Sequence, residues 1–157
     1  MTAGGPPVEL RAVGPGEREA FFAMLADYLA ELDQYELPWD PAPPVEAYRA
    51  AFDADPGGQQ VEWMIAGGDR AGFLITRTVP DWPEEEREIG EVIECYVMPG
   101  WRGRGVGRGA VERWLGRMRG RGVSAVEASV LWANTPARAF WERLGFETRA
   151  VQTTRRP

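Results

Sequence analysis

The chain has no histidine, no lysine and a single cysteine, Cys95. Without histidine there can be no Ser-His or Cys-His nucleophile pair, no imidazole acid–base catalysis and none of the usual zinc sites. One cysteine allows neither an intramolecular disulfide nor a thiolate cluster. No apolar run approaches the roughly 20 residues that span a bilayer. The first residues, Met1 to Pro7, are small and rich in Pro and Gly, with neither a basic start nor an apolar stretch behind them. They read as a frayed terminus (residues 1–7) and not as a signal peptide. These absences lead us to expect a cytoplasmic protein with no membrane association and no metal. Its chemistry is left to carboxylates, tyrosine, arginine, backbone dipoles or a bound cofactor.

What is present fits one domain, residues 8–157. A chain of 157 residues can bury roughly 68–70% of its unfolded surface around a core. Hydrophobic residues make up 44% and charged residues 27%, ordinary for a globular domain. Charge is unevenly spread. Residues 1–99 carry 6 arginines against 20 acidic residues, and residues 100–157 carry 12 arginines against 4. Two differently solvated faces would explain this. So would a basic half holding a polyanion beside an acidic half attracting a cation.

Along the chain, Val8–Val13 alternates as a strand, and Glu17–Leu32 spaces Phe21, Leu25, Tyr28, Leu29 and Leu32 as a helix. A Pro-rich break precedes a short helix over Val45–Phe52. Val61–Ala66 and Gly72–Val79 read as strands joined through Gly67-Gly68-Asp69-Arg70, a hairpin signal. Pro80–Arg87 reads as an acidic loop, Ile89–Val97 as a strand, and Gly107–Arg119 as a helix. Val123–Leu131 reads as a strand. A helix then starts at Thr135-Pro136, with Thr135 as cap, and stops at Gly145; Phe146 onward reads as a last strand. The order β-α-α-β-β-β-α-β-α-β predicts one mixed sheet with helices on both faces.

The stretch that carries chemistry is Glu91–Gly109, EVIECYVMPGWRGRGVGRG. A strand enters a loop with glycine at 103, 105, 107 and 109, and an amphipathic helix follows at once. Such a loop lets backbone N–H groups approach a ligand, and the helix start adds about half a positive charge. Arg102, Arg104 and Arg108 strengthen this anion site. A nucleoside triphosphate loop needs GxxxxGK[ST], and no lysine exists; GxGxxG fails because its sixth position falls on Arg108 or Ala110. Nucleic-acid binding by the Arg/Gly run 102–122 is opposed by the apolar stripe through it and by the net charge of −6.

The run R-x-x-G-x-G, from Arg102 through Gly105 to Gly107, follows the strand ending Tyr96-Val97-x-Pro99. It resembles the pyrophosphate loop of the GNAT acetyltransferase superfamily. About thirty residues later, Asn134 and then Ala137-Arg138-Ala139-Phe140-Trp141-Glu142-Arg143-Leu144-Gly145-Phe146 resemble that family's second signature. The resemblance covers about residues 88–148. It implies an α/β fold: a mixed, mostly antiparallel splayed sheet of six to seven strands with about four helices, and acetyl-CoA wedged where two strands part. The activity it implies is transfer of an acetyl group to a primary amine of a small molecule or peptide. Residues implied to hold the cofactor are Arg102, Gly103, Arg104, Gly105, Val106, Gly107 and Arg108 around the pyrophosphate, Val97 by main-chain pairing, the Cys95 N–H as oxyanion donor, and Asn134 and Trp141 from the later helix. A homodimer is left open, as is a non-catalytic acyl-CoA sensor of the same fold.

An alkylammonium with pKa near 10.4 is uncharged in only about one molecule in 2500 at pH 7, a handicap of ~4.6 kcal/mol. A general base is therefore required. Glu91, eleven residues before Arg102, sits at the spacing of the family's strand glutamate, and it alternates with Ile89, Ile93, Cys95 and Val97 as a carboxylate on an apolar face. Glu94 is the second candidate, on the opposite face unless a bulge reverses the parity. Trp141 stands where the family often has a tyrosine acid; Tyr96 could substitute. Tyr28, Trp39, Trp63, Trp82 and the carboxylates Asp81 and Glu84-Glu85-Glu86 would suit a cationic acceptor, although core packing explains Trp63 better. Amino acids, polyamines, aminoglycosides and protein amines all fit.

Overall fold

The computed structural model describes residues 5–55 and 58–157. The N-terminal residues 1–4, part of the expected frayed terminus, lie outside them. Five strands form one sheet in the order β1 (Val8–Ala12), β2 (Gln60–Ala66), β3 (Asp69–Asp81), β4 (Glu84–Val97), β5 (Ala125–Ala128). The first four pair antiparallel, and β5 lies parallel to β4. Four α-helices cover it: α1 (Arg18–Leu32), α2 (Val45–Ala54), α3 (Val106–Gly120) and α4 (Thr135–Arg143). Among the described residues no helix is long and apolar enough to cross a membrane.

Strand periodicity divides the core in two. Trp63, Phe73 and Ile75 point to one face and pack with Phe21, Phe22, Leu25 and Leu29 of α1. Their neighbours Met64 and Leu74 point to the other and pack with Val106, Val111, Trp114 and Met118 of α3 and Trp141 of α4. With both faces covered, the central strands read as continuous apolar runs (Trp63–Ala66, Phe73–Ile75), because each side of the pleat is buried. Gly67 and Gly68 both take positive φ, 59° and 87°. That is the conformation a two-residue hairpin turn requires, and it carries β2 directly into β3.

Three expectations are corrected. Among the described residues the sheet has five strands and not six or seven: residues 146–157 form no strand, and the segment is polar towards its end (Thr153-Thr154-Arg155-Arg156). The strand expected over Val123–Leu131 is confined to Ala125–Ala128, because it leaves β4 after Val92. Pro80–Arg87 is no loop. It belongs to a hairpin arm that pairs Val79 with Ile89 and Pro80 with Glu88, turning at Trp82-Pro83. The arm extends past β2, which ends its pairing at Thr76. It therefore needs no apolar alternation, and Arg87 bridges Asp81 and Glu84 across it.

Gly90 of β4 lies under α3. A Cβ there would sit 2.9 Å from both Met118 Sδ and Trp114 Cζ2. Gly90→Ala should cost about 1–3 kcal/mol through overpacking. Thermal unfolding followed by circular dichroism should therefore show a lowered Tm, and an unchanged Tm would mean that α3 can move away freely.

Candidate active site

Strand β4 organises the site through one irregularity. Ile75 of β3 faces Glu94, but the next residue, Thr76, faces Val92, so Ile93 is an extra residue in β4. Such a bulge turns the side chains beyond it by one position. Before it, Val92 points to the α3 core; after it, Cys95 and Val97 do, while Tyr96 joins the α1 core. The bulge therefore reverses Glu94's parity and sends its carboxylate towards α1 and α2. The expected alignment of Glu91 with Cys95 and Val97 on one face is corrected for the same reason: by alternation Glu91 shares a side with Ile93, and the bulge separates it from Cys95.

Glu94 is half-buried, its carboxylate held by one tyrosine from each of two helices. Tyr28 of α1 donates its hydroxyl to Glu94 Oε2 at 2.6 Å, and Tyr48 of α2 donates to Oε1 at 2.6 Å. Among the described residues no arginine pairs with it. Burial raises the Glu94 pKa, and the two phenol hydrogen bonds oppose that rise without cancelling it. Burial and the neighbouring carboxylate in turn push both phenols above their usual range, so they remain donors at all working pH values. Glu91 is placed differently: Arg77, opposite it on β3, forms an ion pair with it.

The bulge is also where the sheet opens. β5 follows β4 only from Ile89 to Val92. Met98 donates its N–H to Ala71 O on the β3 side. Backbone groups alternate along a strand, so those of Val97 and Cys95 face away from β3, into the opening. Val97 O there accepts from Arg102 Nε at 2.8 Å. Burial, with Glu94 next to it, pushes the Cys95 thiol up to about 12. A thiol so held is a core residue and a poor nucleophile.

The loop after β4 ends at Gly105, which caps α3 with φ 81° and offers no side-chain hydrogen bond. Gly109 N bonds Gly105 O, so the amides of Val106, Gly107 and Arg108 lack intrahelical partners. No acidic residue stands in this first turn. The four glycines have two separate purposes. Gly103 and Gly105 hold left-handed φ. Gly107 and Gly109 give clearance, since a Cβ would lie 3.2 Å from Phe140 Cε2 and Val97 Cγ2 at the first, and 3.0 Å from Val8 Cγ2 at the second. The three arginines are not equivalent. Arg104 stacks over Trp101, Arg108 is exposed, and Arg102 lies 5.4 Å over the Tyr96 ring and 2.7 Å from Glu31 of α1. Tyr96 OH is 3.4 Å from Glu31 Oε1.

On α4, Asn134 is the N-cap, one residue before the expected Thr135; its Oδ1 accepts the Ala137 N–H at 3.2 Å, which leaves its NH₂ available. Trp141 was expected at the cofactor. It is buried between Phe140 and Phe146, with ring centroids 5.1 and 4.8 Å away, and offers little surface to a ligand. The aromatic and acidic clamp also divides. Tyr28 is at Glu94, and Trp63 is a core residue. Trp82 is 84% exposed at the hairpin turn, about ten strand positions or roughly 30 Å from Glu94. Sequence reasoning missed Tyr48 and Glu31. No local signal marks Tyr48; only the packing of α2 over the bulge brings it to Glu94.

A family model for the acetyltransferase (GNAT) family matches residues 24–146. A mycothiol acetyltransferase of Saccharomonospora viridis is 35% identical over 152 residues, covering 90% of this chain and 46% of that protein. One from Beutenbergia cavernae is 45% identical over 91 residues, covering 57% of this chain and 29% of that protein. The chain thus spans less than half the length of either relative. The crystal structure of a ribosomal-protein-alanine N-acetyltransferase from Brucella melitensis superposes with a TM-score of 0.73 at 18% identity, covering 95% of this chain and 98% of that one, which shows a shared fold. With its splayed sheet, its uncapped glycine-led helix start and a family match over residues 24–146, this chain belongs to the GNAT acetyltransferase family.

Proposed function

We propose that this protein is an acetyl-CoA-dependent N-acetyltransferase in which Glu94 is the general base and the acceptor is a primary amine of a small molecule or peptide. The observation that carries this reading is the half-buried Glu94 carboxylate, held by two tyrosines and, among the described residues, by no cation, at the bulge where β4 and β5 part.

The residues suit the cofactor. Three unpaired amides at the α3 start, and a loop whose left-handed glycines keep it clear of side chains, fit a pyrophosphate. The edge of β4 at Cys95 and Val97, which β5 leaves uncovered, fits an extended amide-bearing arm that would take the place of Arg102 at Val97 O, and the Asn134 NH₂ lies at the start of the helix following β5. When bound, acetyl-CoA supplies an activated acyl group on a thiol whose pKa, like that of cysteine, is about 8.5, so the thiolate can depart without an obligatory acid.

Glu94 takes the proton from the acceptor ammonium. Its raised pKa brings its basicity nearer that of the group it deprotonates. Tyr28 and Tyr48 hold the carboxylate in one orientation before and after it is protonated. The Cys95 N–H, directed into the opening, donates to the oxygen on which negative charge develops. We assign to Tyr96 the return of a proton to the sulfur; burial and Glu31 keep it protonated. Glu91 is neutralised by Arg77 and serves β4 as a structural partner.

The test is time-dependent appearance of free thiol when purified protein meets acetyl-CoA and a panel of amines. Cys95, half-buried against the α3 core, gives a constant background that a blank without amine removes. Amine-dependent thiol release is expected. Tight binding of acetyl-CoA with no release across the panel would overturn the catalytic reading and leave a sensor of the same fold.

A further inference from the structure

Gly5, Pro6 and Pro7 lead into β1. One end of this run is fixed: Val8 is 4% exposed, pairs with Ala66 of β2 and belongs to the α3 core. Each proline ring locks its own φ and keeps the residue before it extended, so two in a row make a stiff segment from Val8 back to Gly5. Gly5 meets the loop before α3. A Cβ on Gly5 would collide with Arg104 O and lie 3.3 Å from Gly105 Cα, and a Cβ on Gly105 would lie 3.5 Å from Gly5 Cα. Two glycine backbones therefore pack directly on each other, an approach that a side chain at position 5 would prevent. One turn further along α3, Gly109 meets the other end of the run, a Cβ there lying 3.0 Å from Val8 Cγ2.

Positions 105 and 109 share one side of the α3 start. Gly107 is on the other side, against Val97 and Phe140. The run Gly5–Val8 therefore backs the α3 start from the β1 side and leaves the β4 side clear. The loop needs such backing. Arg102 ties its first part to Val97 O and Glu31. Beyond it, Gly103 and Arg104 make no backbone hydrogen bond among the described residues, and glycines at 103 and 105 leave the chain free to change shape. Resting on the reading of the α3 start as the pyrophosphate site, we infer that Gly5-Pro6-Pro7 is a strut that fixes the Arg104–Gly105 backbone, so that the amides of Val106, Gly107 and Arg108 are set before the ligand arrives. A loop already held in its binding shape loses less freedom on binding. Gly5 is a positioning residue: it acts through Arg104 and Gly105.

Calorimetry of acetyl-CoA binding tests the strut. Gly5→Ala should raise Kd about fivefold, the low end of what an overpacked contact costs. Its Tm without ligand and its kcat at saturating acetyl-CoA should stay at wild-type values, because neither core nor Glu94 is touched. The double variant Pro6→Ala, Pro7→Ala adds no atom at the contact and only loosens the strut, so its Kd should rise about two- to fivefold. Gly16→Ala, whose Cβ would meet nothing within 4 Å, should bind as the wild type does. Gly5→Ala combined with Gly105→Ala should lose less than the product of the separate losses, since both break one contact. Wild-type affinity in Gly5→Ala or in the double proline variant would overturn the inference and leave the proposed function standing. So would a ligand-free Tm that falls together with the affinity, because Gly5 would then serve the fold at large. A wild-type protein that does not bind acetyl-CoA would instead overturn the proposed function and the strut with it.

Discussion

Replacing Glu94 by glutamine is expected to lower kcat/KM by about 10²–10⁴-fold, the usual contribution of a positioned base, and at the same time to raise Tm at neutral pH. The two effects come from one cause. Burial lifts the Glu94 pKa above its ordinary value of 4.5. The folded protein therefore holds that proton more tightly than the unfolded chain, and its stability declines as pH climbs from the ordinary value through the raised one. Above the raised value the carboxylate is ionised in both states, and the folded state carries the unfavourable desolvation of charge. Glutamine keeps an acceptor and a donor for the two tyrosines without that charge. Each kcal/mol recovered moves Tm by about 2–4 °C in a chain of this size. The difference in Tm between variant and wild type should shrink when pH is lowered below 4.5. The acid limb of the wild-type kcat/KM profile should lie above 4.5, because the base must be ionised to act. A variant that loses activity and also loses stability would mean that Glu94 is a structural group and not the base.

Acetyl-CoA should raise Tm strongly. At a concentration one hundred times its Kd a ligand of the folded state adds ~2.7 kcal/mol, or about 5–11 °C here. On the proposed reading the effect arises at the α3 start, and Gly105→Ala tests that. Gly105 holds φ 81°, a left-handed conformation, which costs an L-residue about 1–2 kcal/mol. If the loop must keep this conformation to present its amides, affinity falls by about 5- to 30-fold, and calorimetry should show the loss in Kd. Glu94→Gln, remote from the loop, should keep the shift. A wild-type protein that millimolar coenzyme A does not stabilise would contradict the assignment of the loop.

The comparison of Glu91 with Glu94 shows how much of the site the sequence carries. The spacing to Arg102 favours Glu91, and strict alternation puts it on an apolar face. Both arguments assume an unbroken strand. The single extra residue at Ile93 cancels them, since a bulge exchanges the faces of everything beyond it. No residue type at 92–94 announces that bulge. It depends on how β4 is paired with β3 on one side and released by β5 on the other. Tyr48 was hidden for a related reason: forty-six residues separate it from Glu94, and only the docking of α2 on α1 brings them together.

The sequence alone determined what depends on local conformation and composition. Gly103 and Gly105, the helical stripe of α3, the Gly67-Gly68 turn and the two family signatures state their structures residue by residue, because backbone dihedral freedom and apolar period are local properties. Absence of histidine and lysine likewise settled which chemistries were unavailable before any fold was known. Tertiary structure decided the rest: which glutamate of β4 faces the first two helices, which tyrosines hold it, that Trp141 is packed away, and that the acidic stretch at 80–87 is a paired arm. Those outcomes depend on burial and strand pairing, where the free energy of one side chain is set by residues far from it in the chain.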